Sequence, residues 1–148
     1  KAGAKEPYIL LVPGCSARHP QKRWPFYDKL AAALIAAGWN IVTAPGPDEV
    51  ELARAIPGAC IEGTSWNELA GILKHASFVI GNDTGPSHLA AHMGVPGLAL
   101  FGAHTPAERT GILRETFAAI EVEDLSGLTV RRVFDEVTRR LNAHSNSV

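Results

Sequence analysis

Short apolar runs alternate with helical patterns along this chain, and that alternation limits the fold more than any other feature. Runs with strand character lie at 8–12 (YILLV), 40–44 (NIVTA), 59–63 (ACIEG), 78–81 (FVIG), 97–102 (GLALFG) and 119–122 (AIEV). Segments with apolar residues spaced for one helix face lie at 25–38, 48–56, 65–76, 86–93 and 129–141. Pro25 and Gly38 bracket the first helical segment, and Ser65 followed by Glu68 gives the third a capping-box signature. Gly94 and Pro96 stop the fourth, and the tail NAHSNSV is expected to fray. Strands that take turns with helices from residue 8 to residue 102 build an α/β fold: a Rossmann-like parallel sheet with helices on both faces. In such sheets ligands sit outside the carboxyl ends of the strands. That rule selects the loops after residues 12, 44, 63, 81 and 102, where nearly every unusual residue lies.

Composition narrows the class. The 148 residues suffice for one domain, and 46% hydrophobic with 20% charged content suits a soluble globular protein. A net charge of −1 argues against nucleic acid and anionic lipid as partners. No apolar run approaches the length of a membrane span, and no signal peptide opens the chain. Cys15 and Cys60 are too few for a disulfide framework and lack metal-ligand spacing, which points to a reducing cytoplasm. The chain opens on Lys1 rather than methionine, so an excised domain is expected.

The densest chemistry is GNDTGPSHLAAHMG, residues 81–94. A strand is expected to end at Gly81, Asp83 or Thr84 can cap the following helix, and Pro86 fits its first turn. Gly85 allows close backbone approach, and the N–H groups of 85–88 with the helix dipole suit a phosphate or pyrophosphate. Capping explains one of these residues, not Asp, Thr, Gly, Ser and His together. His88 and His92 share a helix face, but Leu89 stands where a zinc protease motif has its glutamate, so no metal site is expected.

The other loops leave two readings each. VPGCSARHPQKRWP (12–25) offers Gly14, Ser16, Lys22 and Arg23 to a diphosphate, or forms a solvated basic loop with Trp24 over the core. It is neither a P-loop nor G-x-G-x-x-G. In APGPDEVE (44–51), Asp48 or Glu49 binds ribose hydroxyls or merely favours a helix N-terminus. Thr64 and Ser65 touch a base or cap the next helix, and FGAHTPAERTGI (101–112) reads as an ordinary loop.

PGCSARHPQKRWP, GPDEVELA, GNDTGPSHLAAHMGVPGLALFG and PAERTGI, in that order, resemble the carboxyl-terminal domain of the lipopolysaccharide heptosyltransferases, glycosyltransferase family 9. The resemblance runs from about residue 8 to residue 112, and the D-T-G-P-S-H-L-A-A block is its most specific part. It implies one half of a GT-B enzyme. This half would bind the nucleotide-sugar donor, typically ADP-heptose, while an amino-terminal half holds the lipopolysaccharide core acceptor and the catalytic base. Transfer would invert the anomeric centre without a bound metal or other cofactor. Carried over, Lys22 contacts the donor diphosphate, with Ser16 in the same loop. Asp48 or Glu49 holds the ribose, and Thr64 lies near the adenosine. Asp83, Thr84, Gly85 and His88 form the donor-contacting block. The implied enzyme is cytoplasmic, peripheral at the inner face of the membrane. His104 and the Pro45-Gly46-Pro47 turn depart from the family pattern. Only the donor half being present, the chain alone is expected to bind donor without transferring sugar. The alternatives are a non-catalytic nucleotide-binding module, a transferase using another nucleotide-sugar, and a nucleotide-sugar epimerase.

Overall fold

Strand 1 is Tyr8–Val12, where four consecutive apolar residues, Tyr8 to Leu11, are hidden almost completely on both faces and Val12 is half-buried. A strand buried on both faces belongs in the interior of a parallel sheet. The computed structural model describes residues 7–13, 24–45, 50–82, 85–102 and 117–146. Within them, β1 (Tyr8–Val12), β2 (Asn40–Thr43), β3 (Ala59–Cys60), β4 (Phe78–Asn82), β5 (Gly97–Phe101) and β6 (Phe117–Glu121) form one sheet in the order β3-β2-β1-β4-β5-β6. Every neighbouring pair is parallel. The expected Rossmann-like architecture is therefore what the chain adopts.

The helices are α1 (Tyr27–Ala36), α2 (Val50–Arg54), α3 (Trp66–His75), α4 (Gly85–His92) and α5 (Val130–Asn146), with a 3-10 turn at Leu125–Gly127. From β1 the chain steps outward through β2 to β3, then returns to β4 on the other side of β1. Right-handed crossovers in opposite directions put their helices on opposite faces. One face packs Ile9, Leu11, Phe78, Ile80 and Leu98 against Leu30 and Leu34 of α1 and Val133 and Val137 of α5. The other packs Tyr8, Leu10, Val79 and Ala99 against Leu69, Ile72 and Leu73 of α3 and Ala90 and Ala91 of α4. Alternate residues of each strand thus feed two separate cores.

Several boundaries differ from the sequence expectation. Helix α1 begins at Tyr27, because Pro25 and Phe26 form a turn ahead of it. Strand β3 keeps only two residues; Ile61 still donates its N–H to the Thr43 carbonyl, but Glu62 turns out to pair with Arg54. Strand β4 runs one residue past Gly81 to Asn82, and β6 starts at Phe117, two residues early. Residues 142–146, expected to fray, continue α5. No glycine or proline follows Gly127, so nothing local terminates that helix.

Candidate functional site at the β1/β4 switch point

The strand order reverses between β1 and β4, and in sheets of this kind such a reversal is where a ligand crevice forms, at the carboxyl ends of the strands. The register brings those ends level: Val12 lies opposite Gly81, Leu11 opposite Thr43, and Thr43 opposite Cys60. Of the five loops the sequence offered, the two leaving β1 and β4 flank the switch point itself.

Helix α4 starts at Gly85, three residues on from Asn82 at the end of β4, and its first turn lies against the carboxyl end of that strand. Its approach is unusually close. A Cβ on Gly81 would overlap the Ser87 Oγ and press on the Val12 side chain. Ser87 is fully buried in consequence, and only glycine at 81 lets the helix N-terminus sit down on the strand ends. The helix ends at His92, and Gly94, two residues on, has a φ of +80° that suits a left-handed cap. A helix N-terminus presents free N–H groups and a positive dipole end to whatever occupies the crevice. His88, in the first turn, is half-buried, whereas His92, one turn on, faces solvent.

The wall on the β1 side is held by a residue that the sequence reading passed over. Asn82 is completely buried at the end of an otherwise apolar strand. Its Oδ1 accepts from the Trp24 backbone N–H at 3.2 Å and from the Tyr27 hydroxyl at 3.0 Å. Its Nδ2 donates to the Pro13 carbonyl at 3.0 Å. Trp24 is fixed further: its indole N–H donates to the Leu128 carbonyl at 2.9 Å, and its ring meets Tyr27 edge-on at 5.1 Å. A polar residue inside an apolar run was the available signal, but its partners lie 55 to 69 residues away in sequence.

At the β3 end, Ser65 resolves one open alternative. It caps α3: its hydroxyl accepts from the Glu68 N–H at 3.2 Å, and Glu68 accepts from the Ser65 N–H at 2.8 Å. That backbone hydrogen bond from Ser65, reinforced by the one from its side chain, holds the Glu68 carboxyl below its usual range. Thr64 is half-buried just before the cap, and Trp66, just after it, is 64% exposed. Gly85, His88 and Thr64 therefore all lie on the carboxyl edge of the sheet. Ser16, Lys22, Asp48, Glu49, Asp83 and Thr84 lie outside the described residues. Their described neighbours, Pro13 and Trp24, Pro45 and Val50, Asn82 and Gly85, flank strand ends on that same edge.

Comparison with known proteins decides the family. The family described as "Glycosyltransferase family 9 (heptosyltransferase)" matches residues 1–129. The chain belongs to glycosyltransferase family 9. Among family 9 relatives, lipopolysaccharide heptosyltransferase 3 of Escherichia coli is 32% identical over 69% of this chain and 33% of its own length. The structure of E. coli heptosyltransferase WaaC with ADP superposes with a TM-score of 0.81 at 25% identity, covering 90% of this chain and 44% of that one. The same enzyme with ADP-2-deoxy-2-fluoro heptose gives a TM-score of 0.78 at 25% identity, over 89% and 42%. The chain thus spans about a third of the length of the curated relatives it matches. Among the described residues, no helix is long and apolar enough to cross a membrane.

Proposed function

We propose that this chain is the donor-binding half of an inverting glycosyltransferase that moves heptose from ADP-heptose to a lipopolysaccharide core acceptor. The observation that carries this reading is the N-terminus of α4 seated on the β1/β4 switch point by Gly81, in a family 9 chain whose relative WaaC has been solved with ADP. The site also has the right reach. From β4 to the Thr64 side of β3 is three strand spacings, about 14 Å. That distance lets a diphosphate rest at the switch point while its ribose and base extend toward β3.

The roles follow the chemistry of each group. Thr84 and Gly85 offer backbone N–H groups to the phosphates, and Lys22 adds a cation, with Ser16 as a hydroxyl donor. Asp83 binds sugar hydroxyls, and His88 borders the same space. Asp48 or Glu49 takes the ribose hydroxyls, and Thr64 lies beside the adenosine. In the transfer, an acceptor hydroxyl attacks the anomeric carbon from the face opposite the diphosphate. A new C–O bond forms as the bond to the β-phosphate oxygen breaks, ADP leaves, and the hydroxyl proton passes to a base. That base belongs to the acceptor-binding half. The donor half stabilises the charge growing on the diphosphate, and preorganised donors do this without reorganisation cost. The reaction draws on no cofactor, and the enzyme works at the cytoplasmic face of the membrane. Alone, the chain binds donor and does not transfer.

The test is turnover with ADP-heptose and a core acceptor when this chain is joined to an acceptor-binding half. Lys22→Ala is expected to lower turnover roughly a hundredfold or more, with the circular dichroism spectrum unchanged. Unchanged turnover would remove Lys22 from the diphosphate site. Turnover of a nucleotide-sugar without acceptor would favour the epimerase reading instead.

A further inference from the structure

The Asn82 amide joins three places that the chain reaches separately. Pro13 directly follows β1, Trp24 lies three residues ahead of α1, and Tyr27 is the first residue of α1. All three are hydrogen-bonded to this one side chain at 3.0 to 3.2 Å. The amide orientation is set by its partners: the Trp24 N–H can only donate and the Pro13 carbonyl can only accept, so a flipped amide would lose both bonds. Burying an amide in a sheet core is costly unless its hydrogen bonds are made. The fold does not require it at a strand end, since the neighbouring β5 closes with Leu100 and Phe101. A buried polar group paired at both its oxygen and its nitrogen instead selects one arrangement of the segments it touches.

We propose that Asn82 is a positioning residue for donor binding: by tying Pro13 and Trp24 to the end of β4, it anchors both ends of the segment that carries Ser16 and Lys22 beside the strand that delivers Asp83. The proposal rests on the donor-site reading above. Its consequence is selective. Losing the clamp weakens the diphosphate contacts made from that segment, but leaves the base-binding side near Thr64 in place.

The experiment compares ADP with adenosine, by calorimetry, on the whole chain and its Asn82→Ala and Tyr27→Phe variants, each checked for thermal unfolding. In Asn82→Ala, ADP affinity is expected to fall about tenfold or more while adenosine affinity changes less than about twofold. Tyr27→Phe removes one of the three bonds and is expected to shift the ADP-to-adenosine ratio in the same direction by less. It carries the test if Asn82→Ala does not fold. Equal losses for both ligands, or no loss for either, would overturn the proposal, because a purely structural role does not separate the diphosphate from the base. If the unsubstituted chain does not prefer ADP over adenosine, the donor-site reading fails on its own. The positioning role falls with it, and hydrogen exchange separates the two failures: in Asn82→Ala, selective loss of protection at the Trp24 amide, relative to Val79, means that the tie exists without a donor to position for, and unchanged protection means that the tie itself is absent.

Discussion

A methyl group at position 81 would collide with the Ser87 hydroxyl oxygen and crowd the Val12 side chain, so α4 would have to lift from the strand ends. Overpacking of this kind costs about 1–3 kcal/mol. Gly81→Ala is expected to lower the urea midpoint accordingly and to weaken ADP binding, since both depend on the seated helix. An unchanged midpoint would mean that the close approach is not enforced. At the residue scale, the sequence signalled Gly81 only as a strand terminus. Its packing role depends on which strand lies beside β4 and which helix residue faces back, and neither is local information. Asn82 stayed silent for the same reason, although it stands inside the motif that drew most notice. By contrast, Pro86 was legible as a first-turn residue because helix starts impose their residue preferences locally.

Elements whose ends are set by neighbours in sequence were also the ones that could be read. The Ser65–Glu68 capping box is one, and Ser65→Ala is expected to cost about 1 kcal/mol in chemical denaturation. A loss near zero would show that α3 is held by its packed face alone. Strand β3 was read too long because its last residues carry strand-like character but serve a turn and the Arg54–Glu62 pair. Helix α5 was read too short because a polar tail looked unstructured while no breaker interrupts it. Its middle is laced by Glu136, which accepts from Arg139 and Arg140. Partial burial alone would raise the Glu136 pKa, but those hydrogen bonds outweigh it and leave the pKa below 4.5. A carboxyl lowered by folding stabilises above its unfolded value and loses that contribution as pH falls through the folded value. Glu136→Gln is therefore expected to cost roughly 0.5–1 kcal/mol at pH 7 and to show a flatter stability profile below pH 4.5. Parallel profiles for the two proteins would contradict the pairing.

At the scale of the whole molecule, alternating strands and helices made the fold class legible, and the strand-end rule selected the carboxyl edge of the sheet as the place to look. The strand order was not legible. By position alone the five loops were equivalent, and only the order β3-β2-β1-β4-β5-β6 shows that β1 and β4 flank the reversal. The proposed function lays a ligand along that edge, with diphosphate at the switch point and base toward β3. Amide chemical shifts during titration with ADP-heptose, ADP and UDP test this most directly. The account predicts shifts at residues 85–88, 16–22 and near Thr64, stronger for the two adenosine ligands. Shifts confined to any other edge, or a preference for UDP, would contradict it.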